Sequence, residues 1–152
     1  MQISISETGL LSSAYAYGAA IGVPILLILF RKMERTKALK IMLFTTIVAT
    51  TWMILASDFI QLLLARFMAG IAANSYGVLA TATVADFSPK EKLGSTLARL
   101  IMGAALAMVI GIPLTRFLSE IFSWRLDFAF LIFLMALSLV YFICFLPKAQ
   151  PS

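Results

Sequence analysis

The 152-residue chain has no histidine and a single cysteine, Cys144. Those two scarcities exclude a disulfide framework, a CxxC redox pair, a His- or Cys-rich zinc site and a serine triad in its usual form. Charge is scarce as well, with Asp, Glu, Lys and Arg supplying 12% of the residues against about 25% in soluble domains. What is present instead is apolar: 62% hydrophobic residues, 12 Phe, 8 Met and a mean hydropathy of +1.01. A soluble globule cannot cover that much apolar surface, and the same figures exclude disorder. The solvent they imply is the lipid bilayer.

Crossing about 30 Å of hydrocarbon takes about 20 apolar residues in a helix, so uncharged runs count the spans. The first predicted span is 8–30, which carries no charge. The second is 38–57, with Lys40 close enough to its end to snorkel. The third, 59–85, is long and contains one cation, Arg66; the fourth is 95–116, with Arg99 near one end. The fifth, 128–146, is closed by Pro147. The expected fold is all-α, a single domain over 1–152 with five transmembrane helices and termini on opposite sides.

The positive charges orient these spans. Arg31, Lys32, Arg35, Lys37 and Lys40 lie between the first two spans, Lys90 and Lys92 between the third and fourth with Arg99 just inside the fourth, and Lys148 follows the fifth. Nothing positive precedes the first span or separates the second from the third, while Arg116 and Arg125 are offset by Glu120 and Asp127. The positive-inside rule then puts the N-terminus outside and the C-terminus in the cytoplasm. The net charge of +5 reads as a topology signal, and no basic patch interleaved with aromatics points to nucleic acid. Met1 to Ser6 reads like the end of an extracellular loop whose preceding helix is missing.

Close helix contact in lipid relies on small residues at helical spacing. The first span has Ala14, Gly18 and Gly22; the fourth has Gly103, Ala107 and Gly111, followed by Pro113. Each series reads either as tight packing alone or as a sliding or bending surface, and Gly111-Ile112-Pro113, where the backbone bends at low cost, favours the second in the fourth span. The third span is the most informative. Arg66, Gly70, Asn74, Gly77 and Thr81 fall within an arc of roughly 80° at about 100° per residue. A stripe carrying a cation and the chain's one Asn faces a cavity or bundle interior rather than lipid, the alternative for Arg66 being a headgroup anchor. Tyr15 and Tyr17 offer a hydroxyl or ring face to a ligand, or anchor the interface.

Trp52 and Trp124 read as aromatic-belt residues, Asp86 as a partner for loop lysines and Cys144 as a packing residue. Ser88-Pro89-Lys90-Glu91 predicts a helix start, with Ser88 as N-cap, Pro89 at N1 and Glu91 closing a capping box.

Together these features resemble one family. Ser4 to Gly18 followed by Gly22-Val23-Pro24 is similar to the second span of major facilitator superfamily efflux permeases, in the drug:proton-antiporter branch with arabinose- and purine-efflux-type members. Arg66-Phe67-Met68-Ala69-Gly70 resembles that branch's fourth-span Arg-xxx-Gly motif, and Gly103 to Pro113 its Gly/Pro antiporter motif. Trp124-Arg125 followed by Phe128 matches the start of its sixth span. The basic segment Arg31-Lys32-Met33-Glu34-Arg35-Thr36-Lys37 keeps the charges of the family's loop between spans two and three without its Gly and Asp. Thr115-Arg116 stands where a Gly usually follows.

The resemblance covers spans two to six of twelve, most of one six-helix half. It implies secondary efflux of a small molecule (drug, sugar or nucleobase-like), coupled to protons, in the plasma (inner) membrane and with no cofactor. Arg66, Gly70, Asn74, Gly77, Thr81 and Tyr15 would line the substrate and proton path, and Gly18, Gly22, Gly103, Gly111 and Pro113 would serve conformational packing. The missing helices, or another chain, would complete the carrier. Two other readings stay open, a non-transporting helix-assembly protein and a small homo-oligomeric transporter. No buried acid–base or metal set points to an enzyme.

Overall fold

A computed structural model describes residues 4–145. It contains five long helices: α1 (Ile5–Leu29), α2 (Arg35–Leu55), α3 (Phe59–Phe87), α4 (Leu93–Ile121) and α5 (Trp124–Phe145), with a 3-10 turn over Phe30–Lys32 after α1. Each is long and apolar enough to cross a membrane. Even α2, at 21 residues, reaches about 32 Å, the thickness of the hydrocarbon core. Leu146, Pro147 and Lys148, used to read the end of the fifth span and its cytoplasmic tail, lie outside the described residues.

The helices begin and end where local chemistry allows. α1 starts three residues before the uncharged run because Ser4 caps it: the Ser4 hydroxyl accepts from the Glu7 N–H at 3.3 Å, and the Glu7 carboxylate accepts from the Ser4 N–H at 2.8 Å. That reciprocal pair satisfies two backbone donors that a helix start otherwise leaves open. The predicted capping box at Ser88 does not form. Ser88 instead ends α3, and its hydroxyl donates back to the Val84 carbonyl at 2.6 Å. A turn over 90–92 follows, closed by the Lys92 N–H donating to the Pro89 carbonyl, and α4 begins only at Leu93. No helical turn follows Ser88 for its oxygen to cap, because α4 starts only at Leu93, and its O–H closes onto the last turn of α3 instead.

Packing places α3 at the centre. It lies against α1 on one side and α2 on another; α5 packs on α2, and α4 sits at the edge against α5 and α3. Two apolar clusters hold this arrangement. Toward the Ser4 end, Ala49, Met53, Ala56, Leu62, Ala65 and Ala69 pack with Leu11, Tyr15 and Phe128. Toward the Arg31 end, Ala38, Leu39, Met42 and Leu79 pack with Leu26, Phe30 and Tyr76. The α2–α3 contact is built on small side chains, and Ala65 is fully buried, as close helix approach in lipid requires. The hydroxyls of Thr46 and Thr50, buried in α2, donate to carbonyls four residues back, whereas the Thr36 hydroxyl, buried in the first turn of the same helix, has no partner. α4 has no buried residue, and its Ile101, Met108 and Val109 are exposed apolar surface. Cys144, expected to pack, is exposed on α5.

Candidate functional site at the α1–α3 seam

The seam is made by missing side chains. A Cβ added at Gly18 would collide with the Phe67 carbonyl oxygen and lie 3.2 Å from its carbon. One added at Gly70 would collide with the Tyr15 carbonyl oxygen and lie 2.9 and 3.0 Å from the Tyr15 C and Cα. At Gly22 the obstacle is the Ile71 side chain, with its Cγ2 at 2.7 Å. Three glycines spread over two helices therefore let the α1 and α3 backbones touch, and all three are buried.

This approach brings Arg66 over Tyr15. The guanidinium carbon lies 5.0 Å from the ring centroid, on a half-buried side chain. A cation in that position over an aromatic face gains about 0.5–2 kcal/mol, more as water is excluded. Among the described residues no carboxylate forms an ion pair with Arg66. Tyr15 thus meets the arginine with its ring face, while Tyr17 is largely exposed.

Beyond Gly70 the stripe changes character along its length. The Asn74 amide donates to the Gly70 carbonyl of its own helix at 2.8 Å and is partly buried. Thr81 likewise donates to the Gly77 carbonyl at 2.9 Å, and both Gly77 and Thr81 are exposed. Nothing stands within 4 Å of a Cβ placed at Gly77. One end of the stripe is thus locked in the seam and the other looks onto open space. Ser75, about half a turn round the helix from Arg66, is fully buried with an unpartnered hydroxyl. No periodicity signal had singled it out.

At the Arg31 end, Asp86 of α3 pairs with Arg35 at 2.7 Å, not with a loop lysine as expected. Arg35 opens α2, so this ion pair ties the α1–α2 connection to the end of α3. Lys37 reaches Glu34 at 3.9 Å; Arg31 and Lys32 are exposed in the 3-10 turn. On α4, nothing lies within 4 Å of a Cβ at Gly103 or Gly111, and Pro113 sits inside the helix. At the Ser4 end, Ser119 of α4 donates to the Asp127 carboxylate of α5. That carboxylate is 9% exposed, and its second oxygen is buried without a partner. In the sequence Asp127 stands out only as an offset for Arg125.

Five apolar spans packed about a glycine seam, with the Arg66 guanidinium over the Tyr15 ring beside it, define a multi-pass helical membrane protein. The family profile described as Major Facilitator Superfamily matches residues 1–152. The chain belongs to that superfamily. It is 30% identical over 148 residues to the "Inner membrane transport protein YdhP" of Escherichia coli (strain K12), covering 97% of this chain and 38% of that protein. It is 30% identical over 125 residues to a "Probable sugar efflux transporter" of Pasteurella multocida (strain Pm70), covering 82% and 31%. A third relative, the MFS-type transporter YtbD of Bacillus subtilis (strain 168), is 31% identical over 143 residues, 94% of this chain and 35% of that one. The chain thus spans about a third of the length of the relatives it matches.

Proposed function

We propose that the chain supplies five of the helices of a proton-coupled small-molecule efflux permease, with the α3 stripe lining its pathway. The observation that carries this reading is Arg66: a guanidinium held over the Tyr15 ring, without an ion-pair partner among the described residues, at the head of a stripe that opens at Gly77 and Thr81. An intramembrane cation is costly, by at least about 2.5–3.5 kcal/mol on insertion scales, so a wet cavity or an acid brought by another helix must compensate it. Its role would be to hold a nearby carboxylate charged until substrate or proton displaces it, so that the two compete for one path. Carriers of this architecture bind substrate between two repeats and rock them about that site. Residues 1–152 match one portion of such relatives, and the transported class, the sugar of one relative's name or another small molecule, follows from the complete carrier.

The N-terminus outside and the C-terminus inside, in the inner membrane, complete the proposal. It is tested with single cysteines along α3 in a Cys144→Ser background, the chain being grafted into the matching stretch of the Pasteurella relative. Cysteines at Asn74, Gly77 and Thr81 are expected to react with a water-borne thiol reagent, and those at Leu64, Met68 and Val78 to be slow. Equal reactivity around the helix would remove the pathway assignment.

A further inference from the structure

At the Ser4 end, a recess of about 510 Å³ is lined by Ile54, Leu55, Ala56 and Ser57, where the chain leaves α2, and by Arg125 in the first turn of α5. Its two sides carry opposite polarity, the end of a helix on one and a guanidinium on the other. We propose that this recess holds the headgroup of a phospholipid with a primary ammonium, the phosphate on Arg125 and the ammonium on the carbonyls that end α2. The assignment is independent of the pathway reading, because it uses neither α1 nor the α3 stripe.

The carbonyl side follows from how α2 stops. The last carbonyls of a helix have no partner within it, and they form the negative pole of its dipole. Ala56 is already extended, at φ −61° and ψ 124°, and no basic residue stands in the last turn. The Ser57 N–H donates to the Gln61 side chain at 3.4 Å, and among the described residues nothing donates to the carbonyls of Ile54 or Leu55. Arg125, across the recess, is permanently charged and offers a fork of five N–H donors that matches a phosphate. Its guanidinium lies over the Trp124 ring, 5.3 Å from the centroid, with no ion-pair or hydrogen-bond partner among the described residues. The recess keeps the two poles apart, so a group that satisfies both must itself be dipolar. A phosphoethanolamine headgroup is: its phosphate accepts from the fork and its ammonium donates to the carbonyls. A trimethylated ammonium has no N–H to give, and a headgroup without a cation leaves the α2 end unmet. Trp52 and Trp124 are exposed beside the recess, as aromatic-belt residues are at the headgroup level, and Leu55 offers an acyl chain an exposed apolar surface. That depth commits the occupant to a membrane lipid rather than a dissolved phosphate ester.

Contact quenching of Trp124 tests the assignment. The full chain with Trp52→Phe is placed in phosphatidylcholine nanodiscs containing rising mole fractions of a lipid brominated on its upper acyl chains, with a phosphoethanolamine, phosphocholine or phosphoglycerol headgroup. The phosphoethanolamine lipid should half-quench Trp124 at a mole fraction about fivefold lower than the other two. Ile28→Trp, exposed at the other end of α1, in a Trp52→Phe, Trp124→Phe background, should be quenched alike by all three. Arg125→Gln should bring the phosphoethanolamine lipid to the level of the others, and Arg125→Lys should keep part of the preference. Ser57→Phe, which fills the recess and leaves the arginine intact, should also remove it, so the claim does not hang on one variant folding. Dissolved phosphoethanolamine, with the same charges and no acyl chains, should not compete. Equal quenching by all three lipids, stronger quenching by the phosphoglycerol lipid, the same preference at Ile28→Trp, a preference unchanged in both Arg125→Gln and Ser57→Phe, or its loss to dissolved phosphoethanolamine would overturn the proposal.

Discussion

Two glycines on one stripe of α3 should respond in opposite directions to the same substitution. At Gly70 an added methyl meets the backbone of Tyr15, its C and Cα at 2.9 and 3.0 Å and its carbonyl oxygen closer still. Ordinary carbon contacts lie at about 3.5–4.0 Å, so α1 and α3 must separate by at least about 0.5 Å. The obstacle is main chain, so no rotamer change relieves it. Overpacking of this kind costs about 1–3 kcal/mol. The same displacement loosens Arg66 from Tyr15, with up to about 0.5–2 kcal/mol at stake. Ala recovers only about 0.5–1 kcal/mol through its lower backbone entropy in the helix. At mid-range these terms leave a net loss of about 2 kcal/mol for Gly70→Ala. At Gly77 the methyl enters open space, and only the gain of about 0.5–1 kcal/mol remains. Titration of the two variants with SDS from mixed micelles, followed by helicity and tryptophan emission, measures the difference. If Gly70→Ala unfolds as late as Gly77→Ala, the helices do not touch at this seam and the geometry argued for Arg66 fails with it.

Three further outcomes follow from the same structure. Gly18→Ala, blocked by the Phe67 main chain, should be costlier than Gly22→Ala, blocked by the Ile71 side chain, which can turn aside; the same SDS titration ranks them. The Arg35–Asp86 pair is about half-exposed, so a double-mutant cycle with Arg35→Gln and Asp86→Asn should return a coupling of only about 0.2–1 kcal/mol, and a larger value would place the pair in a drier site. In intact cells and a Cys144→Ser background, cysteines at Ser6 and Ser123 should react with an impermeant thiol reagent while those at Lys32 and Lys90 should not; the reverse pattern would sink the orientation read from charge.

The five spans were legible because lipid imposes a length and a composition, and both are visible as uncharged runs between clusters of basic residues. Helix ends were less so, since they depend on single hydroxyls. The Ser4–Glu7 box follows the spacing rule and forms, whereas Ser88, with the same spacing to Glu91, bonds backward to Val84 instead. Which one forms depends on whether the preceding residues are already helical, and that is a tertiary outcome. The α3 stripe was visible as an arc, but its periodicity cannot say what faces it. Tyr15 lies in another helix, and only the close approach allowed by Gly18 and Gly70 brings its ring over Arg66. Asp127 escaped for a related reason. Its partner Ser119 is eight residues away across the α4–α5 turn, a separation that no helical repeat connects.

We propose that Arg66 works in a coupled pathway rather than anchoring α3 at a headgroup. Proteoliposomes carrying the graft into the Pasteurella relative, driven by an imposed proton gradient and followed with a labelled sugar, test it directly. Arg66→Ala should abolish gradient-driven export while leaving insertion and helicity intact, and Arg66→Lys should retain part of it, because the charge stays while the planar fork is lost. Gradient-driven export at the unsubstituted rate in Arg66→Ala would contradict the account and leave the arginine as a snorkelling anchor.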